Sequence, residues 1–439
     1  MSENTVKNTD ARKRITSLFD DGTFTEIDAF AKSANGEIEV VAGFGTVNGN
    51  CVYAFSQDVT VDGGAISVAQ CSKIKKIYDL AAKTGCPVVG IYDSNGMKLI
   101  EGFEALNAYG EILKLSTSVS GVVPQISIIA GACLGTTALM ANMADVVVAV
   151  KDADFYVTTP SKVTAEESFE NGTVDVLAND FEEALTSVRD LVSLLPANNL
   201  SPAPLFDFAE PQTFANSAST VKEIISAVSD AGMGVELKAG YGSNVTTVLS
   251  SVMGSTVGFV GFDGNAVCPS CAYKAESFIK LCDAYNIPIV TFVNANGFVK
   301  EKENQMLVAA TKLSVAYATA TCPKISVVTG NAIGTAYIAL AGRGANADLV
   351  YAWDTAIVSP LEVEAAVAFL YNDRLAEGED RNALENEYKE ELASPFTAAA
   401  CGAIDAIFVP EETRANVISA LDMLAGKREN TIPRKHSVK

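Results

Sequence analysis

The chain has 439 residues, 53 acidic against 32 basic side chains and a formal net charge of −21. At about 150 residues per domain the length predicts two or three domains. Apolar residues at 49% and charged residues at 19% suit buried cores and exclude a disordered chain. The acidic balance repels phosphate and no basic stripe offsets it, which argues against a nucleic-acid partner.

The opening residues, MSENTVKNTDARKRI, lack the apolar core and cleavage site of a secretory signal. Short apolar, β-branched runs at 52–55 and 88–92 predict buried strands, and residues 69–83 between them carry apolar positions at helical spacing. Residues 126–129 read as a strand, 131–135 as a turn, 136–143 as a helix leaving it, and 146–150 as a further strand. The apolar stretch from Gln125 to Val150 is broken by Gly131, Gly135, Asn142 and Asp145, so no run reaches the ~18–20 residues of a membrane span. The expectation is a soluble, cytoplasmic protein. Residues 181–195 and 217–231 predict amphipathic helices joined by a linker rich in proline (Pro196, Pro202, Pro204, Pro211).

The pattern then repeats. Strands are predicted at 257–260, 289–293, 325–329 and 349–352, with helices at 274–285 and 305–319 and a glycine turn and helix after 329. Pro87 and Pro288 fall 201 positions apart, as do Gly96 and Gly297; Gly131 and Gly135 match Gly330 and Gly334 at 199, and Asp145 matches Asp348 at 203. A period near 200 residues exceeds the ~20–50 of a solenoid repeat, so the sequence holds a duplicated α/β domain with crossover connections. Two further helices, at 382–392 and 413–425, follow, with Gly426 as the last stop.

Side-chain chemistry is sparse. The one histidine is His436, which excludes Ser-His-Asp and Cys-His catalysis and histidine-rich metal sites within this chain. Nine cysteines are scattered, mostly in apolar contexts, and read as reduced, buried thiols. Cys268 and Cys271 form a CxxC with no second pair, so no metal site is predicted. The Gly43–Gly49 segment, GFGTVNG, has the wrong spacing for a dinucleotide loop. Glu101 and Glu104 are the obvious carboxylates for a hydratase or isomerase and also read as solvated helix charges.

Several segments, in order, resemble the carboxyltransferase subunit of biotin-dependent acyl-CoA carboxylases and sodium-pumping decarboxylases: ARKRITSLFDDGTFTEID (11–28), GTVNGNCVYAFSQDVTVDGGA (45–65), EGFEALNAYGEI (101–112), FIKLCDAYNIPIV (278–290), IGTAYIAL (333–340), ADLVYAW (347–353) and KRENTIPRKH (427–436). The resemblance implies two tandem crotonase-like (ClpP/crotonase) domains, 1–200 on the acyl-CoA side and 201–439 on the biotin side. It implies a homo-oligomer, a trimer of dimers, whose active site lies between the N-domain of one chain and the C-domain of its partner. Biotin would come from a separate carrier protein, with a biotin carboxylase or a membrane decarboxylase subunit as further partners and a coenzyme A thioester as substrate.

Carboxyl transfer of this type passes through enolates, so the catalyst chiefly needs N–H donors aimed at an oxygen. Glycine turns at helix N-termini supply them. By resemblance, Gly135 and Thr136 would hold the thioester oxygen through their backbone N–H groups. Thr335 and Ala336, beside Gly334, would hold the ureido oxygen of biotin. Threonine replaces the second glycine of the family pair in both copies, and a backbone donor survives that change where the turn tolerates a Cβ. Both segments also read as plain strand-to-helix turns. Gly64 and Ala65 resemble the loop against coenzyme A. Lys98 stands where the family has arginine, and reads either as a phosphate partner or as a solvated lysine. Residues 157–172 resemble a trimmed version of a family region whose histidine is missing, and the family's glycine-rich helix start is altered near Ser359-Pro360-Leu361-Glu362. Two other readings share these residues: a non-catalytic or regulatory member of the same assembly, and another CoA-thioester enzyme on the crotonase fold.

Overall fold

The computed structural model describes residues 8–158, 162–344 and 347–429. His436 and the end of the 427–436 motif lie outside the described residues, as do 159–161 of the 157–172 region. The chain divides into two compact units, Met1–Pro204 and Leu205–Lys439.

Unit 1 opens with α1 (Asp10–Leu18), β1 (Thr25–Ile27) and the hairpin β2 (Val40–Val47) and β3 (Asn50–Gln57). Then come α2 (Val68–Thr84), β4 (Val88–Ser94), α3 (Gly102–Val119), β5 (Gln125–Leu134), α4 (Thr136–Ala141), β6 (Val146–Val150) and β7 (Phe155–Tyr156). It closes with α5 (Ala165–Glu170), β8 (Val176–Ala178) and α6 (Phe181–Leu194). The sheet order is β1-β2-β3-β4-β5-β6-β8, with β7 paired to β5. The first three strands are antiparallel, and from β3 onward neighbours are parallel.

Unit 2 repeats this with α7 (Val221–Val228), β9 (Gly234–Glu236), β10 (Val245–Val252), β11 (Ser255–Phe262), α8 (Pro269–Ala284), β12 (Ile289–Ala295), α9 (Glu303–Thr319), β13 (Lys324–Ile333), α10 (Thr335–Ala341), β14 (Leu349–Trp353) and β15 (Ile357–Ser359). An inserted group, α11 (Val363–Leu370), α12 (Asn372–Ala376), α13 (Arg381–Glu391) and α14 (Pro395–Ala400), precedes β16 (Ala406–Phe408) and α15 (Thr413–Leu424). The order β16-β14-β13-β12-β11-β10-β9, with β15 on β13, matches unit 1 strand for strand. The register also matches: Val88 pairs with Gln125, and Ile289 with Lys324.

Local chemistry explains the boundaries. Ser67 caps α2, and Gly85 ends it in the left-handed region. The helix expected over 217–231 is shorter because Thr220 and Glu223 form a capping box that starts α7, while Asp230 leaves the helix to bind a hairpin turn. That turn, Met253-Gly254, and its equivalent, Asn48-Gly49, have positive φ at both central residues. Asp20 accepts from the Asn48 and Gly49 N–H groups at 3.0 and 2.9 Å; Asp230 accepts from Met253 and Gly254 at 3.1 and 2.8 Å. Burial alone would raise both carboxyls, but these bonds, with Thr46 at Asp20 and Arg414 and Ser251 at Asp230, hold them below the usual range.

The parallel strands are tied at their amino ends by side chains that the duplication preserves. Asp145 accepts from Gln125 N–H at 2.9 Å, and Asp348 from Lys324 N–H at 2.8 Å. Asp175 accepts from Val147 N–H at 2.7 Å, and Asp405 from Val350 N–H at 2.8 Å. Two buried lysines are matched as well: Lys73 Nζ donates to Val40 O at 3.1 Å, and Lys274 Nζ to Val245 O at 2.7 Å.

The cysteines depart from expectation. Cys51 and Cys401 are exposed, and Cys268 and Cys271 are joined as a disulfide rather than reduced. Cys71, Cys133, Cys282 and Cys322 are buried thiols. Among the described residues no helix is long and apolar enough to cross a membrane, and no cluster of His, Cys, Asp and Glu could hold a metal.

Candidate active site

The singled-out residues of unit 1 gather at the carboxyl ends of adjacent parallel strands. Gly64 and Ala65 follow β3, Lys98 follows β4, and Gly135 and Thr136 follow β5. Open α/β sheets present ligand sites at this end. A cleft of about 410 Å³ lies there, lined by Asn95, Gly96, Met97, Leu99, Gly135, Thr136, Leu139 and Val157. Among the described residues no cationic side chain lines it.

Gly135 has φ 60° and ψ −125° and immediately precedes α4. A Cβ there meets no neighbour, so the glycine is needed for its conformation rather than for space. Thr136 is the first helical residue and is absent from the non-glycine residues of positive φ. The threonine is therefore tolerated: the turn's conformational demand falls on Gly135 alone. One expectation changes. The Gly135 N–H already donates to Tyr156 O at 3.0 Å, held there by the pairing of β7 with β5. The first intrahelical bond runs from Leu139 N–H to Gly135 O at 3.2 Å. The donors that α4 leaves without an intrahelical partner start at Thr136.

Behind this turn sits a polar layer. Thr137 is fully buried, with its Oγ1 3.3 Å from Ser94 Oγ and 3.2 Å from Tyr109 OH. Asp93 is buried beneath Gly131, where any Cβ would collide with its carboxylate, and Arg14 of α1 donates to Asp93 Oδ2 at 2.6 Å. Burial pushes the neighbouring Cys133 thiol well above its usual pKa, so it is an inert packing group.

Lys98 is neither solvated nor free for phosphate. It is buried, with Nζ 2.6 Å from Glu39 and 2.7 Å from Asp62. Burial alone would lower its pKa, but the two carboxylates raise it. Glu39, fully buried, also accepts from Ser67 N–H at 2.6 Å. Glu101 accepts from Val68 N–H at 2.7 Å, so it caps α2 rather than sitting as a solvated helix charge. Gly64, at φ 78°, lies so close to β4 that a Cβ would strike the Asp93 carbonyl. Its N–H donates to Val61 O at 2.9 Å and that of Ala65 to Asp62 O at 3.3 Å, so this loop packs the strand end.

In unit 2 the turn has the same shape. Gly334 has φ 60° and ψ −137° ahead of α10, and its N–H donates to Ser359 O at 2.8 Å. Thr335 is exposed, Ala336 is buried, and Pro360 O lies 3.3 Å from where a Gly334 Cβ would stand. The altered Ser359-Pro360 segment thus closes one side of the turn. The Asp93 position holds Asn294, whose Oδ1 accepts from Asn331 N–H at 2.9 Å. Each unit thus presents the first main-chain N–H groups of a short helix behind a glycine turn, twice on one scaffold.

Comparison with known proteins shows the family. The model of the carboxyl transferase domain family matches residues 6–438. The alpha subunit of methylmalonyl-CoA decarboxylase from Veillonella parvula is 34% identical, over 97% of this chain and 92% of its own. The propionyl-CoA carboxylase beta chain of Saccharopolyspora erythraea is 36% identical, over 97% and 89%. The structure of transcarboxylase 12S, solved with methylmalonyl-coenzyme A and methylmalonic acid bound, superposes with a TM-score of 0.91 at 31% identity, covering 97% of this chain and 92% of that one. The chain belongs to the carboxyl transferase family and has its two-domain crotonase-like fold.

Sequence reasoning missed Glu39, Arg14, Thr137 and Tyr109. Each touches the site region through partners far away in the chain: Lys98 Nζ and Glu39 are 59 positions apart, Arg14 and Asp93 79. Periodicity carries no signal at that range.

Proposed function

We propose that this chain is the carboxyltransferase component of a biotin-dependent system acting on acyl-CoA of the propionyl/methylmalonyl class. The observation that carries the reading is the paired turn: Gly135 and Gly334, both at φ 60°, each closing the carboxyl end of the third parallel strand and opening a helix on a threonine. Unit 1 receives the thioester. Its apolar cleft, with Met97, Leu99, Leu139 and Val157, suits a short acyl group. An enolate formed there places charge on the thioester oxygen, and the Thr136 amide is a preorganised donor for it. Helices of six and seven residues act through these first amides rather than through a long dipole. Unit 2 receives biotin on a separate carrier protein, which supplies the carboxyl group or accepts it; the Thr335 and Ala336 amides hold the ureido oxygen. Biotin carboxylase or a membrane decarboxylase subunit completes the system, working in the cytoplasm or at the membrane's inner face.

The active unit is a homo-oligomer, a trimer of dimers. Exposed apolar side chains in both units support this: Leu99, Ile100 and Phe103 in unit 1, and Ile338 and Phe369 in unit 2, are more than half exposed, as interface residues are before a partner covers them. Light scattering should give a large oligomer; a stable 46.0 kDa monomer overturns that part.

The deciding experiment incubates the protein with free biotin and malonyl-, methylmalonyl- or glutaconyl-CoA and follows the carboxylated thioester by mass spectrometry. Biotin-dependent loss of one ester is expected. Gly334→Val should abolish it with the oligomer intact, and unchanged turnover in that variant sinks the reading. No loss with any ester, from a folded oligomer that binds coenzyme A, would instead favour a non-catalytic member of the assembly.

A further inference from the structure

We propose that Cys268 and Cys271 form a reversible thiol–disulfide site at the start of α8, exchanging with a thiol–disulfide couple of the glutathione class. The two sulfurs are bonded across a Cys-Pro-Ser-Cys turn with Cα atoms 5.1 Å apart, while the seven other cysteines are free. Cys268 is the N-cap residue of α8, with its Sγ accepting from Cys271 N–H at 3.2 Å and lying 3.0 Å from Ser270 Oγ. A helix of 16 residues, entered through Pro269, favours negative charge at its first turn, which stabilises a thiolate there.

The duplication supplies a control. The matching cap in unit 1 is Ser67, whose Oγ accepts from Gln70 N–H at 3.3 Å. A hydroxyl suffices to start this helix, so capping does not explain two sulfurs in unit 2. Their exposure is also graded. Cys268 is half-buried and Cys271 fully buried, so an external thiol reaches Cys268 first and Cys271 is placed to resolve it. The site adjoins the unit 2 turn through hydrogen bonds: Val267 N–H to Gly297 O at 2.9 Å, Asn296 Nδ2 to Gly264 O at 2.7 Å, and Asn331 Nδ2 to Asn296 Oδ1 at 2.7 Å.

The exchange balances as follows. The thiolate of the couple attacks Cys268 Sγ; the Cys268–Cys271 bond breaks, and Cys271 leaves with the electron pair and takes a proton. A second thiol of the couple then attacks the external sulfur of the mixed disulfide and releases Cys268 as thiolate. The protein pair gains two electrons, and two thiols of the couple become its disulfide.

The test equilibrates the full chain in reduced and oxidised glutathione at stepped ratios, followed by acid quench, alkylation and peptide mass spectrometry. One linked 268–271 peptide should convert to a doubly alkylated form as the reduced fraction rises. Cys271→Ser should carry one glutathione on Cys268. Cys268→Ser, which keeps an oxygen cap and should retain the parent circular-dichroism spectrum, should carry none on Cys271. In the reduced protein Cys268 should alkylate with a half-maximal rate below pH ~8.5, the value of a free cysteine. A pair that stays bonded in excess reduced glutathione, thiols that stay free in glutathione disulfide, or glutathione found on Cys51 and Cys401 with Cys268 unmodified overturns the proposal.

Discussion

The positions that place two hydroxyls and a carboxylate behind the turn at Gly135 hold two alanines and an amide behind the matching turn at Gly334. Register sets the equivalences: Ser94 answers to Ala295, Thr137 to Ala336 and Asp93 to Asn294. The main chain of the turns, by contrast, is nearly identical, down to the N–H of each glycine donating to the strand that follows. Duplication has kept the element that presents donors and varied what stands behind it. The glycine and the first helical amides are common to both turns; the side chains behind them are not.

The comparison can be broken most severely at Gly64. Gly64→Ala adds a Cβ against the Asp93 carbonyl at a φ of 78°, which displaces the end of β4 under the unit 1 turn. Turnover should fall about 100-fold, the scale of losing a positioned oxyanion donor, with the melting temperature lowered by a few degrees; wild-type kinetics would show that this loop does not position the turn. Lys98→Met tests whether the lysine serves the fold or a phosphate. It leaves Glu39 buried without its cation, so stability should drop by about 3 kcal/mol in urea, with KM for the acyl-CoA nearly unchanged. A rise in KM without destabilisation would return Lys98 to a phosphate role.

The buried lysines sharpen the comparison. Burial pushes the Lys274 amine down to about 8, whereas Lys73 is lowered without so large a shift. A lysine whose folded pKa is depressed binds fewer protons folded than unfolded, so stability rises with pH between about 8 and the unfolded value of ~10.4. Wild type minus Lys274→Met should show that rise, up to about 3 kcal/mol by urea titration. A flat difference would mean the amine stays charged. The smallest effect is expected at the hydroxyl layer: Thr137→Val removes the hydroxyl that Ser94 and Tyr109 share and should cost about 1 kcal/mol, while Ala336→Ser in unit 2 should gain nothing. Equal effects would remove the asymmetry.

The duplication, the parallel strands and both glycine turns were legible in the sequence because they rest on local runs and on matched spacing. The hairpin was not. Its first strand, VVAGFGTV, is not among the strands predicted from the sequence, yet Gly43 and Gly45 are strand residues beside which Phe24 and Phe19 stack, their rings 5.3 Å apart. Glycine there makes room for a ring rather than a bend. Thr136 and Thr335 posed the opposite problem: the residue type suggested a damaged turn, and only the backbone angles show that the strained position lies one residue earlier. The solvated readings of Lys98 and Glu101 failed because their partners, Glu39 and the Val68 N–H, are remote in sequence.

The carboxylates that tie neighbouring strands together have one more consequence. Asp145, Asp175, Asp348 and Asp405 all act at the starts of strands. Each sheet is thus clamped along one rim and finished with loops along the other, as a beam is built into a wall at one end. Displacement in such a beam grows with distance from the wall. Whatever adjustment a carboxyl-transfer cycle needs is directed, by where four aspartates sit, to the rim that carries the glycine turns.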